Sequence, residues 1–513
     1  MDKIIRLFIV FLGLFSSMFS YSQELKPLRE DILFLSSHLT YLASDKLEGR
    51  NTPSVGLDSA AQYIEKTFIK LGIPPAYPTY RNSLGLSRVR LGPNSSFSTR
   101  NGSGVVTKFK IKSDFIPFDF SSQDSITAPV IFAGFGLNSN EANYNNYKEI
   151  NVKGRIVILL TGVPSSSDST NYFKRHETNV AYSVESKVQT AIKAGAVGVI
   201  VITDPEKHLL LNPVGYPWPE LYKNFPLDAS PWRMTDTIKQ RIPVFHAGES
   251  FVNTIFGSVN NLKQLVSRLN NGESLKSLQP ALNLVSMKST IYDEPIDADN
   301  VAAVITGSDP DLNHQVIVIG AHYDHLGMLK KYTKGDDYIF NGADDNASGA
   351  SSVLAIARNF MLQPLKPKRS VIFVLFAGEE KGLWGSRAFV NAPPVPISSI
   401  VAMINLDMVS RSADTLYLEG ASNSPALTQI VKDINSDFGF KLITPKGNAF
   451  QGSSDHAPFA GKGVPFVFFF TGLHKDYHRV TDEIVKCDFE KATQVARLAF
   501  LTAWRISNEI STY

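Results

Sequence analysis

The sequence predicts an α/β fold with a mixed, largely parallel sheet sandwiched by helices, and an inserted second α/β domain. In the last 230 residues or so, short apolar runs typical of buried strands alternate with helical segments. The strand-like runs are Val301–Ile305, Val316–Ile319, Ser370–Phe376, Ile400–Asn405 and Pro465–Phe470, and the helical segments include Ala350–Phe360 and Pro425–Phe438. Because an intervening helix returns the chain to the same edge of a sheet, this alternation favours parallel pairing.

Composition narrows the possible classes of protein. The chain has 513 residues, of which 43% are hydrophobic and 19% charged, so it can bury large cores in several domains. Lys and Arg number 51 against 48 Asp and Glu, and basic residues do not cluster with aromatic ones. Nucleic-acid binding is therefore not expected. The single cysteine, Cys487, excludes an intramolecular disulfide and a cysteine-based metal site.

Residues 1–22 have the pattern of a signal peptide. Lys3 and Arg6 precede the uncharged stretch Leu7–Ser22, and small residues stand before a plausible cleavage point at Gln23. The stretch is shorter than the roughly 20 residues that a membrane-spanning helix needs. We expect export to the periplasm or the exterior, with no stable membrane insertion after cleavage.

The rest of the chain divides into three regions. Residues 125–280 have a βαβ rhythm of their own, with strand-like runs at Arg155–Leu160 and Val197–Ile202 on either side of a predicted helix, Val184–Ala194. Residues 23–124, which begin with helical periodicity, and residues 281–513 are expected to form one domain, into which residues 125–280 are inserted.

Polar groups suited to metal binding follow the predicted strands. They are His322 with Asp324, Glu379 with Glu380, Asp407, His478 and, in a loop that opens a helix, Asp344 with Asp345. Because the carboxyl ends of parallel strands lie along one edge of a sheet, these groups should converge there. Imidazole and carboxylate groups from distant parts of a chain are typical metal ligands, so the sequence predicts a metal site at this edge.

Each group alone also has an ordinary structural explanation. Asp344 and Asp345 can stabilise the start of a helix by about 1 kcal/mol. Asp407 is harder to explain in that way, because it lies in the apolar run Met403–Met408, where an unpaired carboxylate is costly. Coordination to a cation removes that cost.

Six segments together resemble the M28 family of dinuclear zinc peptidases, most of which are aminopeptidases. The segments are GAHYDHLG (320–327), NGADDNASG (341–349), FAGEE (376–380), NLDM (405–408), SDHAPF (454–459) and DYHRVTD (476–482). Residues 125–280 resemble the protease-associated (PA) domain that many such enzymes contain. Ala43–Arg50, with the sequence ASDKLEGR, resembles the opening of the PA-containing branch.

The resemblance implies a fold of the zinc exopeptidase type and a role for each matching residue. The implied ligands are His322 and Asp407 for one zinc, Glu380 and His478 for the other, and Asp344 as the bridge between them. The peptide bond between Asp344 and Asp345 would be cis. Asp324 would fix the tautomer of His322 through a hydrogen bond. Glu379 would act as the general base.

Four further assignments are expectations about the surroundings of the metals. Asp455 is expected to support the site without binding metal, and Asp482 is expected to orient the loop of His478. Tyr477 is a candidate donor to the oxyanion. Phe450 and Gln451 lie in a loop expected to shape the specificity pocket.

The main hypothesis is an exported aminopeptidase with two Zn²⁺ ions, or Co²⁺ or Mn²⁺ in their place, acting on peptide substrates. A mono-zinc enzyme similar to glutaminyl cyclase, a carboxypeptidase or dipeptidase, and a non-catalytic binding protein with the same fold remain alternatives. The preferred N-terminal residue, the oligomeric state and the role of the PA-like domain cannot be inferred from the sequence.

Overall fold

A computed structural model describes residues 29–509 with several gaps. The gaps are 167–169, 177, 210, 214–217, 223–230, 235–239, 282–283, 421–422 and 446–451. The expected signal peptide, residues 1–22, lies outside the described residues, as do Phe450 and Gln451.

The α-helices of the described residues are distributed along the whole of the described range. They are α1 (Arg29–Leu42), α2 (Val55–Leu71), α3 (Tyr172–Arg175), α4 (Val184–Lys193), α5 (Glu249–Phe256), α6 (Val259–Asn270), α7 (Gly349–Met361), α8 (Trp384–Asn391), α9 (Pro425–Asn435), α10 (His456–Gly461) and α11 (Phe489–Asn508). Short 3-10 or π turns lie at Asp45–Arg50, Val180–Tyr182, Pro219–Leu221, Ala343–Ser348, Ile397–Ser399 and Ile484–Lys486.

The strands of the described residues are mostly short. They are β1 (Arg81–Ser83), β2 (Leu86–Leu91), β3 (Ser96–Arg100), β4 (Val106–Phe109), β5 (Phe115–Pro117), β6 (Ser125–Phe132), β7 (Asn138–Ser139), β8 (Tyr144–Asn145), β9 (Ile156–Leu160), β10 (Gly198–Ile202), β11 (Trp232–Met234), β12 (Val244–Ala247), β13 (Leu284–Lys288), β14 (Ile291–Ile296), β15 (Asp299–Ile305), β16 (Val316–His322), β17 (Gly327–Met328), β18 (Ile339–Phe340), β19 (Ser370–Phe376), β20 (Ile400–Leu406), β21 (Thr415–Glu419), β22 (Lys441–Ile443) and β23 (Phe466–Phe470).

The chain forms two compact units, and their boundary differs from the expected one. The first unit combines the residues up to Gly85 with those from Asp297 onward, and the second is Leu86–Ile296. The second unit is larger than the expected insertion, residues 125–280, because strands on both sides of that range belong to its sheets. For example, β3 and β6 both pair with β13.

The first unit is built on an eight-stranded mixed sheet in the order β1-β15-β19-β16-β20-β23-β21-β22. The four central strands, β19, β16, β20 and β23, are parallel to one another. Antiparallel strands flank them, with β15 on one side and β21 on the other. The predicted α/β class with a largely parallel core is confirmed.

Helices cover both faces of this sheet. Phe373 of β19 packs against Phe68 of α2 and Phe360 of α7. Three residues further on, Phe376 lies on the opposite face and packs against Phe389 of α8 and Phe459 of α10. Strand residues buried on both faces explain why the central strands are continuous apolar runs in the sequence.

The second unit contains its own eight-stranded sheet, in the order β4-β3-β13-β6-β9-β10-β12-β5. Its central strands β6, β9, β10 and β12 are parallel. Helix α4 packs on them through Val188 and Ile192, which share a buried cluster with Val157 and Val199. A three-stranded sheet, β11-β2-β14, completes the unit.

None of the helices in the described part of the chain combines the length and apolar character needed to span a bilayer.

Candidate metal centre

The candidate metal-binding side chains lie where the parallel strands of the first unit end. His322 is the last residue of β16, and Asp407 directly follows β20. Glu380 comes four residues after the end of β19, and His478 lies in the loop after β23. Asp345 belongs to the turn Ala343–Ser348, immediately before α7. The predicted convergence at one edge of the sheet is therefore present.

One group of potential ligands consists of His322, Asp345 and Asp407, all of them buried. The His322 Nε2 atom is 3.4 Å from Asp345 Oδ1 and 3.4 Å from Asp407 Oδ1. The other oxygen of Asp407, Oδ2, accepts a hydrogen bond of 2.8 Å from the Ser454 hydroxyl, which fixes the carboxylate with Oδ1 towards His322.

A second group surrounds the other oxygen of Asp345. The His478 Nε2 atom is 3.3 Å from Asp345 Oδ2 and 3.2 Å from Glu380 Oε2. His325 also lies here, and its Nδ1 is 2.7 Å from Glu380 Oε1. Asp345 thus presents one oxygen to each group, which is the arrangement of a bridging carboxylate.

The structure gives Asp345, and not Asp344, the position between the two groups. Asp344 turns its carboxylate away, because Oδ1 accepts hydrogen bonds from the amide and hydroxyl of Ser410 and Oδ2 lies 3.2 Å from His474 Nε2. The bridging position expected for Asp344 is corrected to Asp345 on this geometry. The cis peptide bond is likewise one residue further on, between Asp345 and Asn346.

Backbone and side-chain hydrogen bonds hold the turn that carries Asp345. Asp482 Oδ2 accepts from the amides of Asp344 and Asp345, each at 3.0 Å. Asp482 was expected to orient the loop of His478, whereas its carboxylate holds the Asp345 turn. Asn346 donates to the carbonyl of Leu406 and accepts from the amide of Met408, so it ties this turn to the residues around Asp407.

Asp324 supports two of the functional residues. Its Oδ1 lies 3.6 Å from His322 Nδ1, and the same oxygen accepts a hydrogen bond of 3.1 Å from the amide of Glu379. Its Oδ2 accepts from the Thr52 hydroxyl at 3.0 Å. Asp324 therefore fixes the backbone at Glu379, and it contacts His322 Nδ1 through its backbone carbonyl oxygen, at 3.2 Å.

His325 is a site residue that the sequence reasoning did not assign. It forms a potential ligand group with Asp345 and Glu380. The signal was present in the segment His322-Tyr323-Asp324-His325, where a second histidine follows the first by three residues. Its side chain is buried, and its Nε2 lacks a hydrogen-bond partner among the described residues.

Glu379 lines the cavity next to both groups but belongs to neither. Burial raises the pKa of Glu379 to about 10; His322 opposes this shift, and Asp455 adds to it. Burial also raises the pKa of Asp455 to about 7. Asp345 behaves in the opposite way: burial opposes its ionisation, yet His325, His322 and His478 hold its pKa below the usual range.

A cavity of about 170 Å³ opens beside these groups. Its described lining is His322, Asp345, Glu379, Asp407, Met408, Ser453, Phe468, Phe470, Leu473, Tyr477 and His478. Tyr477 stacks on the His478 ring with the centroids 3.8 Å apart. Apart from the potential ligands, Glu379 and Ser453, the lining is apolar or aromatic.

The chemistry of these groups fits zinc. Asp345 Oδ2 and Asp407 Oδ1 are buried and have no hydrogen-bond donor among the described residues, although an isolated buried carboxylate is costly. Both oxygens face imidazole nitrogens, and mixed imidazole and carboxylate ligands are those that zinc accepts. A divalent cation at either group supplies the missing partner.

Comparison with known families agrees with the fold and the site. Residues 300–503 match the sequence profile of peptidase family M28, and residues 126–255 match that of the PA domain. The M28 profile covers the strands and loops that carry the imidazole and carboxylate groups at the carboxyl edge of the parallel strands. Residues 300–503 thus correspond to an M28 peptidase domain and residues 126–255 to a PA domain, as the sequence predicted.

Individual relatives are more distant. A probable zinc metalloprotease of Pyrenophora tritici-repentis is 27% identical over 262 residues, which are 42% of this chain and 58% of that protein. Leucine aminopeptidase 1 of Ajellomyces capsulatus is 25% identical over 222 residues, 40% of this chain and 56% of that protein. The matched region thus spans little more than half the length of these relatives.

Among solved structures, an aminopeptidase from Aneurinibacillus sp. strain AM-1 aligns over 94% of this chain and 95% of that chain. The identity is 18%, and the TM-score is 0.45.

Proposed function

We propose that this protein is a dinuclear zinc aminopeptidase that hydrolyses the first peptide bond of peptides with a free N-terminus. The observation that carries the proposal is the position of Asp345, whose two oxygens face two separate groups of imidazole and carboxylate ligands. One zinc would be held by His322, Asp345 and Asp407, and the other by Asp345, Glu380 and His478. His325 donates to Glu380 or joins the second set.

A zinc ion held by these groups would supply a water of lowered pKa and a Lewis acid for the scissile carbonyl. Glu379 is the residue placed to move the proton. It lines the cavity without belonging to either ligand group, and Asp324 fixes its backbone. A cation nearby lowers the pKa of a buried carboxyl, so Glu379 ionises, takes the proton from the attacking water and delivers it to the leaving amine.

The charges around the cavity favour a free amino group over a free carboxylate in the substrate. The described lining includes Asp345, Glu379 and Asp407 and contains no Lys or Arg. A carboxypeptidase needs a cation to pair with the terminal carboxylate of its substrate, because a buried unpaired charge is costly. The described lining thus offers no Lys or Arg side chain to pair with a terminal carboxylate, which supports action at the N-terminus.

The apolar wall supports a preference for an apolar first residue. Met408, Phe468, Phe470 and Leu473 line the same cavity as the carboxylates. Burying an apolar side chain against them contributes roughly 1.5–3 kcal/mol, whereas a charged side chain would be desolvated without a partner. Tyr477, stacked on His478, is the candidate to donate to the developing oxyanion.

Metal analysis and a substrate panel test the proposal together. The purified protein is assayed for bound zinc and for cleavage of Leu, Phe, Asp and Lys anilides, each with a free and an acetylated N-terminus. We expect about two zinc ions per chain and cleavage of the free Leu and Phe compounds only. Cleavage of acetylated compounds would reject aminopeptidase action, and one zinc with cyclisation of N-terminal glutamine would indicate a cyclase.

We further propose export by the N-terminal segment. The support is the sequence of residues 1–22, with its short basic start and uncharged stretch. N-terminal sequencing of the protein recovered from the producing cells should begin near Gln23. A mature protein that retains Lys3 and Arg6 would contradict export by cleavage.

A further inference from the structure

Arg50 is a buried cation that lies beside the candidate metal centre and is not one of the candidate metal ligands. It closes the segment Ala43–Arg50, and its side chain is fully buried. Burial lowers the pKa of Arg50 to about 10, and the carboxylates of Asp324 and Asp345 oppose that shift. Arg50 therefore keeps its positive charge at neutral pH.

The guanidinium group of Arg50 joins the two loops that carry metal ligands. Its Nε donates to the carbonyl of Tyr323 at 2.8 Å, and Tyr323 lies directly after His322. Its Nη1 donates to the carbonyl of Asn341 at 2.8 Å, and its Nη2 to that of Gly342 at 3.1 Å. The latter two residues precede the turn of Asp345.

A third anchor ties the same guanidinium to a helix. The Nη1 atom of Arg50 also donates to the carbonyl of Leu42, at the end of α1. One planar group thereby connects α1, the exit of β16 and the approach to α7. A lysine at this position has a single nitrogen and cannot reproduce that set of directions.

The backbone around Arg50 makes matching contacts. The Arg50 carbonyl accepts from the amide of His325 at 3.2 Å. The Thr52 hydroxyl donates to Asp324 and accepts from the amide of Gly378, next to Glu379. Gly49 has a φ of 68°, and a Cβ there would lie 2.3 Å from the carbonyl oxygen of Gly327, so this close approach requires glycine.

Charge gives the arrangement a second effect. Asp324, Asp345, Glu380 and Asp482 all attract the Arg50 cation. The attraction is mutual, so Arg50 offsets part of the repulsion among carboxylates that must lie close together. A fixed cation at this place keeps the ligand groups together before a metal binds.

We propose that Arg50 is a positioning residue for the metal centre, which holds the His322 and Asp345 loops in register and balances their carboxylates. The proposal rests on the dinuclear centre proposed above. Arg50 acts through Tyr323, Asn341 and Gly342 and does not touch the substrate. Loss of such supporting contacts typically weakens metal binding about 10- to 100-fold.

The test compares Arg50→Met and Arg50→Lys with Arg369→Met. Arg369 is the matched control because it is also buried in the first unit and also donates to a backbone carbonyl, that of Ile506, but it directly precedes β19, at the opposite edge of the sheet. Zinc affinity is measured by chelator competition, and folding by thermal unfolding in the presence of a chelator.

We expect both methionine variants to unfold at lower temperature. Only Arg50→Met should bind zinc about 10- to 100-fold more weakly, and Arg50→Lys should fall between it and the wild type because it keeps the charge and loses the geometry. Wild-type zinc affinity in Arg50→Met, or equal loss of affinity in Arg369→Met, would overturn the proposal. If Arg50→Met does not fold, wild-type zinc affinity in Arg50→Lys would reject the proposal that the hydrogen bonds of the guanidinium position the two loops. A wild-type protein without two zinc ions would instead reject the proposed function itself.

Discussion

At the scale of single residues, the two adjacent aspartates of the Asp345 turn have opposite roles. Asp345 faces His322 with one oxygen and His478 with the other. The carboxylate of Asp344 points to Ser410 and His474 instead. The two residues are adjacent in the sequence and are both aspartates. Substitution of each by asparagine therefore gives two variants with the same chemical change at neighbouring positions.

We expect Asp345→Asn to lose at least one of two bound zinc ions, because an amide is a poorer ligand than a carboxylate and cannot bridge two cations. Asp344→Asn should keep both ions and lose about 1–3 kcal/mol of stability through its buried hydrogen bonds. Zinc content after dialysis, together with thermal unfolding, decides between them. Loss of metal in Asp344→Asn with full retention in Asp345→Asn would restore Asp344 as the bridge.

Glu379 permits a test of the proton-transfer step alone. Glu379→Gln preserves shape and removes the base, so we expect kcat to fall about 10²- to 10⁴-fold with little change in zinc content. Turnover of a leucine anilide and metal analysis on the same sample are the measurements. A variant with full activity would remove Glu379 from the mechanism, and loss of zinc would make it a ligand.

The sequence could predict which loops carry the ligands but not every side chain that reaches the metals. His322 and Asp407 directly end or follow apolar strands, and such positions are fixed by the sheet. The choice between Asp344 and Asp345 depends on backbone angles in the turn before α7, where Asp345 has a φ of −105° and a ψ of 95°. No pattern of residue types reveals those angles.

At the scale of secondary-structure elements, the apolar strands of the first unit were predictable because burial on both faces leaves an uninterrupted apolar run. The prediction for Ser370–Phe376 coincides with β19. The sequence pattern does not assign the strands β2 to β5, because they are short and lie in a region, residues 77–124, that is rich in Ser, Asn and Gly. Pairing over long distances in the sequence adds to the difficulty. For example, β3 pairs with β13, which lies more than 180 residues further along the chain.

Helix α4 of the second unit carries a buried lysine whose charge can be tested. Lys187 donates to the carbonyls of Leu160 and Gly162, at the end of β9. Burial lowers the pKa of Lys187 to about 7, from the ordinary lysine pKa of 10.5. Between these values the unfolded chain binds a proton that the folded chain does not, so stability rises with pH across this window.

The free energy of unfolding should therefore increase by up to about 1.4 kcal/mol per pH unit from this residue between pH 7 and 10.5. In Lys187→Met the increase should vanish, whereas Lys193→Met, at the exposed end of the same helix, should keep it. Denaturant unfolding at several pH values measures the slope. Equal slopes in wild type and Lys187→Met would show that the ammonium remains charged when folded.

At the scale of the whole molecule, the two units should differ in whether their stability depends on zinc. All candidate ligands lie in the first unit, and the second is the range Leu86–Ile296. The second unit is longer than the expected range, 125–280, because its first strands precede the βαβ pattern from which that range was predicted. Only their pairing with β13 and β14 assigns them to it.

Removal of zinc should therefore destabilise one unit. A ligand bound only by the folded state stabilises it by about 4 kcal/mol at a thousandfold excess over Kd. We expect a chelator to lower the temperature of one calorimetric transition by several degrees and to leave the other unchanged. Asp345→Asn treated in the same way is the control and should show little response. Equal shifts of both transitions would contradict a metal site confined to the first unit.

The two-segment construction of the first unit determines the order in which its parts are synthesised. Helices α1 and α2, with Arg50 between them, leave the ribosome more than 200 residues before β16 and α7. All of these elements belong to the first unit, so the early helices must wait for the later ones. Contacts so distant in sequence form late. Leu86–Ile296 can meanwhile fold around its own core. A growing chain therefore cannot assemble the candidate metal centre until almost all of it has been made, and the proposed peptidase activity would begin only after synthesis.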